Sequence, residues 1–435
     1  MRLRLFLIGL ALLVVACVDP EDLLLHGTND IIVVDGTITD RAEAQIIKLN
    51  RSQADPLTGR FGTLPITGAT VQVAVDSSVL VTCHETVDGS YQLPSDFKGQ
   101  VGHAYQLRFT LPDGTSYASN QQIMTATAPI QKAYAEFNPK SLAANQFDGF
   151  TAGHDISIDT QDPANQHNYY RWDWTLYERQ YWCKTCQQGV YTVYKVLPHT
   201  YLYEYYFVAG NELFEDCFSP PTYTTDYGAP YVPKGYWYYD YNCRTACWEI
   251  LCNVAINVFD DQYSNGGLLA KRKVASIPYY QHAPCLVDIR QLSLTKDAYR
   301  YFQLLQQQTQ NTGGLADSPP TALAGNVRNI TNSRESVAGY FSASAVSLYH
   351  QWLDRKDADG IPLGAMDPEG PHNNIGDDLF YALNSRRPNP EPSPPYQGNR
   401  FPPNVRIWPN NDRPPTAPCS PSETKTPFKP EGWQD

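Results

Sequence analysis

From residue 31 onward the chain alternates short apolar runs with polar turns, a period of two that points to strands. Ile31-Ile32-Val33-Val34 is closed by Asp35-Gly36. Further runs follow at Ala44 to Leu49, Ala69 to Val75, Val79 to Cys83, Tyr91 to Leu93, Tyr105 to Phe109, and from Tyr117 after the Asp113-Gly114 turn. Short strands rich in β-branched residues with turns between them predict a β-sandwich over 28–128. From 129 to about 290 the pattern stays strand-like and becomes aromatic, as in Tyr201 to Phe207 and Tyr236 to Tyr241. In Tyr169-Tyr170-Arg171-Trp172-Asp173-Trp174 the alternation places Tyr170, Trp172 and Trp174 on one face and Arg171 and Asp173 on the other. A sheet with one buried side reads this way.

One segment changes period. Between Thr295 and Gln308, Ala298, Tyr301, Phe302 and Leu305 recur at helical spacing, with Thr295 as N-cap and Gly313-Gly314 beyond the end. Asp297 sits in the first turn, where a negative charge suits the helix dipole. The expected fold class is therefore mainly β. An N-terminal immunoglobulin-like or transthyretin-like β-sandwich leads into a larger β-rich domain over 129–385 with one amphipathic helix. A Pro-rich tail over 386–435, fourteen of its fifty residues proline, should pack on the body or trail from it. Trp408, Phe428 and Trp433 are the residues to pin it. The stretch from Gly68 to Leu93 resembles the transthyretin-like and carboxypeptidase-regulatory-like sandwiches of surface proteins.

The N-terminus bears on location. Arg2 and Arg4 precede an apolar run from Leu5 to Ala16, about half the roughly 20 residues a helix needs to span a bilayer, so 1–16 reads as a signal peptide. Val14-Val15-Ala16-Cys17 resembles the lipobox of bacterial lipoproteins. That implies cleavage before Cys17 and acylation of its thiol with palmitate-like chains, each buried methylene adding about 0.8 kcal/mol of membrane affinity. Residues 17–27 would be the lipidated tether. Asp19, Glu21 and Asp22 within it resemble the acidic export signals that carry lipoproteins of Bacteroidota to the cell surface. The expectation is an outer-membrane, cell-surface location, with the membrane reached through lipid on Cys17. A net charge of −12 argues against nucleic acid as a partner.

Cysteine usage agrees with export. Ten cysteines are present, and Cys183, Cys186, Cys217, Cys243, Cys247, Cys252 and Cys285 are candidate disulfide partners in an oxidising compartment. The same group, led by Cys183-Lys-Thr-Cys186, also has the composition of a thiolate zinc site or a redox pair. Export favours disulfides, and no helix follows Cys183 to activate a thiolate. In Asp357-Ala358-Asp359-Gly360, aligning Gly360 with the sharp turn of an EF-hand puts Arg355 and Met366 at ligand positions, which excludes that motif. An irregular calcium site stands beside a plain acidic turn as the remaining reading. Neither HExxH nor GxSxG occurs, and Ser422-Glu-Thr-Lys425 lies between prolines. No catalytic residue, cofactor or metal is expected. Consecutive rings at Tyr236 to Tyr241 cannot all face inward, so Trp237, Tyr238 and Tyr239 are the candidate ligand or partner contacts.

Several blocks recur in an order that identifies a family. They are Leu294 to Tyr301 (LTKDAYRY), Gly313 to Asn326 (GGLADSPPTALAGN), Gly339 to Ser344 (GYFSAS), the aromatic YRWDWTLYE before them, CWEI at Cys247 and the terminal KPEGW. Together they resemble the Bacteroidota lipoproteins of domain of unknown function 4249. The resemblance implies a non-catalytic accessory or capping subunit of a TonB-dependent outer-membrane receptor. The rival reading is a stand-alone surface glycan-binding or adhesive module, with Trp237, Tyr238 and Tyr239 as stacking platforms. Family members often carry a second cysteine near the terminal motif, whereas this tail has only Cys419, so the resemblance implies no tail disulfide here.

Overall fold

The computed structural model describes residues 31–54, 61–144, 147, 149–164, 166–180, 182–185, 190–196, 202–208, 223–224, 230–231, 240–309, 325–332, 335–360, 362–363 and 416–435. Ten strands build the first body: β1 (Ile31–Thr39), β2 (Ile46–Ala54), β3 (Phe61–Pro65), β4 (Thr70–Val75), β5 (Val79–Thr82), β6 (His84–Val87), β7 (Ser90–Gln92), β8 (Ala104–Thr110), β9 (Ser116–Ser119) and β10 (Gln122–Ile123). They form two sheets, β1-β2-β7-β6 with β3 on β2, and β9-β8-β4-β5 with β10 on β8. Alternation sends Ile32, Val34 and Ile38 from β1, and Tyr105, Leu107 and Phe109 from β8, into one shared core. Each such side chain contributes about 1.5–3 kcal/mol by leaving water.

The second body contains β11 (Ile130–Asn138), β12 (Gly153–Gln161), β13 (Tyr169–Arg179), β14 (Trp182–Thr185), β15 (Val190–Val196), β16 (Leu202–Val208), β17 (Tyr223–Thr224), β18 (Pro230–Tyr231), β19 (Asp240–Cys243), β20 (Trp248–Cys252), β21 (Asn257–Asp260), β22 (Leu268–Pro278), β23 (Cys285–Ser293) and the helix α1 (Lys296–Thr309). Its main sheets are β11-β12-β22 and β23-β13-β20, with β21 also on β13. Ile156, Ile158 and Ile277 of the first share a core with Trp172, Leu176, Val287 and Ile289 of the second. In β13, Tyr170 and Trp172 are buried and Trp174 packs half-buried against the same core, as the alternation predicts. The Trp172 indole donates to Gln291 Oε1 at 2.9 Å, and Gln291 Nε2 donates to the Ala128 carbonyl at 2.8 Å, so both of these buried polar side chains are paired. β15 and β16 pair with each other as a separate ribbon.

The helix begins where the sequence places it. Thr295 Oγ1 accepts the Ala298 amide at 3.2 Å, and Ala298 and Tyr301 are buried while Phe302 and Leu305 pack beside them.

Three further strands, β24 (Val327–Asn329), β25 (Val337–Ser344) and β26 (Val346–Leu353), tie the bodies together. β24 joins β9, β25 runs parallel to β1, and β26 joins β23. The first sandwich is therefore not built from 28–128 alone, since Phe341 and Ala343 of β25 complete its core. A parallel neighbour arrives by a long crossover, which no local alternation announces. Only Ala345 separates β25 in the first body from β26 in the second. Across that seam α1 lays Tyr301 against Tyr340 at 4.7 Å between ring centres.

The tail is packed where it is described. β27 (Thr416–Ala417) runs parallel to β19, and β28 (Lys425–Thr426) pairs with β20. Trp433 inserts between Trp248 and Trp352, with ring centres 5.8 and 5.1 Å away. Phe428 is exposed and pins nothing, and Trp408 lies outside the described residues.

Cysteine pairing follows the sequence expectation at Cys183, Cys243 and Cys247 and departs from it at Cys419, Cys252 and Cys285. Cys183 bonds Cys243, and Cys247 bonds Cys419, the tail cysteine for which no partner was expected. Cys252 is a free, exposed thiol, and Cys285 is a free thiol buried in β23, where burial pushes its pKa up to about 12. Inward-facing positions on a core strand serve packing, which is why Cys285 has no bridge. Cys186 and Cys217 lie outside the described residues. The Cys247–Cys419 bridge closes a loop spanning 172 positions, and cross-links of long loops contribute about 2–4 kcal/mol, chiefly through the unfolded chain. Cys419→Ser is expected to lose about that much and to make 416–435 sensitive to limited proteolysis. An unchanged melting temperature together with a protected tail would contradict this.

Among the described residues one charge pair is fully buried. Arg355 Nη2 donates to Glu178 Oε1 at 2.5 Å, and both side chains are almost completely excluded from solvent. Arg355 Nη1 donates to the carbonyls of Gln281 at 3.0 Å and Ala283 at 2.8 Å, while Gln281 Nε2 donates to the other Glu178 oxygen. Arg355 adopts a left-handed backbone, φ 55°, at a cost of about 1–2 kcal/mol for a side chain of this type. That turn directs the guanidinium inward.

Candidate functional site

The two sandwiches leave a cleft of about 270 Å³ between β1–β2 on one side and β13–β23 on the other. Strand alternation supplies its walls. Of the positions of β1 that face away from the core, Asp35 and Thr37 line the cleft, and the corresponding positions of β13 and β23 are Arg171, Asp173 and Arg290. Asp173 and Arg290 are directly opposed across the β13–β23 pair.

One of the charge pairs here crosses the seam. Arg290 holds Glu43 of the first body with both guanidinium nitrogens, at 3.0 and 2.5 Å. Glu43 Oε1 also accepts the Thr39 hydroxyl at 2.8 Å. Arg171 holds Asp173 through contacts of 3.0, 3.1 and 2.5 Å, and its guanidinium lies 4.6 Å from the ring centre of Phe302 on α1. Lys48 at the rim reaches Glu423 of the tail at 2.7 Å. Farther along β23, burial holds the Asp288 carboxyl above its usual range although His350 Nδ1, 2.6 Å away, pulls the other way. Two-pronged Arg–carboxylate pairs fix both partners in orientation. The cleft is thus a rigid recess of both signs, just below the roughly 300 Å³ at which small-molecule pockets begin.

Of the residues singled out from sequence, the described ones do not line the cleft. Cys17, Trp237, Tyr238 and Tyr239 all lie outside the described residues. Cys183, Cys243 and Cys247 come together with their sulfurs within 4.8 Å of one another, but each is already in a disulfide, so no thiolate set for zinc is present among them. The Asp357–Gly360 segment is an acidic turn whose carboxylates are engaged: Asp357 accepts the Phe137 amide at 2.8 Å and faces His154 Nε2 at 3.1 Å, and Asp359 accepts the Gly360 amide at 2.8 Å. Sequence reasoning put Arg171 and Asp173 on one face but did not mark them as a site. For Glu43 and Arg290, 247 positions apart, nothing in the sequence signals the pairing.

The sequence model of the family described as a domain of unknown function, DUF4249, matches residues 18–349. The chain belongs to the DUF4249 family. No curated protein and no solved structure matches it. Two of the blocks picked out in the sequence now have physical meanings. In the GN block, Asn326 Nδ2 donates to the Phe341 carbonyl at 2.7 Å and its Oδ1 accepts the Phe341 amide at 2.9 Å, clamping the loop onto β25. In the GYFSAS block, Gly339 has φ +87° and lies so close to β1 that a Cβ there would collide with the Val34 carbonyl oxygen. The DUF4249 match also spans every strand and side chain that lines the cleft.

Proposed function

We propose that this chain is an outer-membrane lipoprotein, anchored by lipid on Cys17, that acts without catalysis as an accessory subunit of a TonB-dependent receptor and engages that receptor through the cleft between the two sandwiches. The receptor association is the role that the family resemblance read from the sequence implies. The observation that carries the binding role is the cleft itself: Arg290 on β23 holds Glu43 of the β1–β2 turn across the two bodies, and Arg171 holds Asp173 within β13. Preset charges of both signs select a complementary surface and steer its approach. The tail, bonded at Cys419 and reaching Lys48 through Glu423, borders the same rim.

The anchor and the association are tested together. A chain carrying a C-terminal affinity tag, expressed in its native host and purified in mild detergent, is expected to bring down an outer-membrane barrel in near-stoichiometric amount. Cys17→Ser is expected to leave the membrane fraction and lose that barrel. Recovery of the wild-type chain alone, or membrane retention of Cys17→Ser, would count against the proposal.

A further inference from the structure

A second site lies at one end of the β13–β21 pair, away from the cleft. Tyr169 of β13 opposes Asp260 of β21, so the residues just before β13 and those ending β21 meet there. His167 Nε2 lies 2.5 Å from Asp260 Oδ1 and 3.5 Å from Asp261 Oδ1, and all three atoms fall within 4.8 Å of one another. Ligands about 2.0–2.2 Å from a common ion stand roughly 3–3.5 Å apart, so small side-chain adjustments bring this trio onto one ion.

Asp261 supplies the independent observation. Its side chain is fully buried. Oδ2 accepts the amide of Asn168 at 2.8 Å and its side-chain Nδ2 at 2.9 Å, which fixes the carboxylate. Oδ1 is left facing the His167 ring with no hydrogen-bond partner. A buried carboxylate oxygen without a partner is costly and calls for an explanation. Charge points the same way: Asp162 is buried beside Asp261, with Asn168 Nδ2 bridging toward both, and among the described residues no Lys or Arg pairs with Asp162, Asp260 or Asp261.

We propose that His167, Asp260 and Asp261 bind a divalent first-row transition-metal ion of the Mn²⁺ to Zn²⁺ class. The imidazole nitrogen decides the class, since calcium and magnesium take oxygen sets while imidazole suits the later ions. The surroundings hold the ligands in place: Asp260 Oδ1 also accepts the Gln262 amide at 2.8 Å, and the His167 ring lies nearly parallel to Tyr169, 4.6 Å between centres. Supporting hydrogen bonds of this kind orient metal ligands. His167 is 46% exposed, so the ion keeps an open side for water or for a donor from another molecule.

The test uses the full-length chain in detergent, without a polyhistidine tag and stripped with chelator. Mn²⁺ is the probe, read by electron paramagnetic resonance, because it avoids the exposed Cys252 thiol, and Zn²⁺ serves as competitor. One Mn²⁺ per chain is expected, displaced by Zn²⁺, with affinity reduced about tenfold or more in both Asp261→Asn and His167→Ala. Should Asp261→Asn not fold, His167→Ala carries the test, its side chain being half exposed. Binding of neither ion below millimolar concentration, or equal affinity in both variants, overturns the assignment. So does Ca²⁺ binding that survives His167→Ala while Mn²⁺ fails to bind.

Discussion

Glu178→Ala is expected to destabilise the second sandwich by about 3–5 kcal/mol, because it leaves the Arg355 guanidinium charged and unpaired inside the protein. Arg355 remains charged at any accessible pH; burial opposes its charge, but its neighbours, Glu178 among them, hold its pKa above the usual value. The carbonyls of Gln281 and Ala283 satisfy part of its donor set and cannot replace a carboxylate. Gln281 loses its own acceptor in the same variant. The loss should appear as a lower denaturant midpoint with an unchanged slope. Replacing both partners, Glu178→Leu with Arg355→Met, should avoid most of that loss, since an apolar pair of similar volume avoids desolvating either charge. A single-variant loss below about 1 kcal/mol would show that water reaches this pair.

Gly339→Ala is expected to cost about 3 kcal/mol or more, through a different mechanism. The left-handed backbone at Gly339 alone disfavours a Cβ by about 1–3 kcal/mol, and that Cβ would also collide with the Val34 carbonyl oxygen of β1. The adjoining loop cannot yield, because Gly325 is packed equally closely against the Gly339 carbonyl. The register from Ile32 opposite Val337 to Thr39 opposite Ser344 is the parallel join that completes the first sandwich. Hydrogen exchange should therefore quicken across both β1 and β25 in the variant. Exchange that stays slow in β1 would mean that the join is dispensable.

The contrast between these positions explains what the sequence discloses. Period-two alternation depends on neighbours in the chain, so Ile32, Val34 and Ile38, or Tyr170 and Trp172, reveal their buried face without a structure. The helical stripe of Ala298, Tyr301, Phe302 and Leu305 and its Thr295 cap are local in the same sense. Features set by distant segments were not legible. β25 joins β1 across some three hundred residues, and Glu43 meets Arg290 across 247 positions. Arg355, in an acidic turn, meets Glu178 across 177 positions. The cysteines divide along the same line: composition implies bridges, but only the docked tail reveals that Cys247 pairs with Cys419 and that Cys285 belongs to the core. The metal trio was missed because His167 and Asp260 are 93 positions apart and match no spaced motif.

The central claim, that the cleft between the sandwiches is the face presented to a TonB-dependent receptor, is tested most directly by blocking the cleft without breaking its ion pairs. Ile46 lines it, and 36% of its surface is exposed. Ile46→Trp should fill the recess while the Arg290–Glu43 and Arg171–Asp173 pairs remain intact. The measurement is the amount of outer-membrane barrel co-purified per tagged chain, wild type against Ile46→Trp, at equal membrane abundance and equal melting temperature. The expected result is a loss of about tenfold or more, equivalent to about 1.4 kcal/mol of binding. Equal recovery from the two chains would contradict the claim.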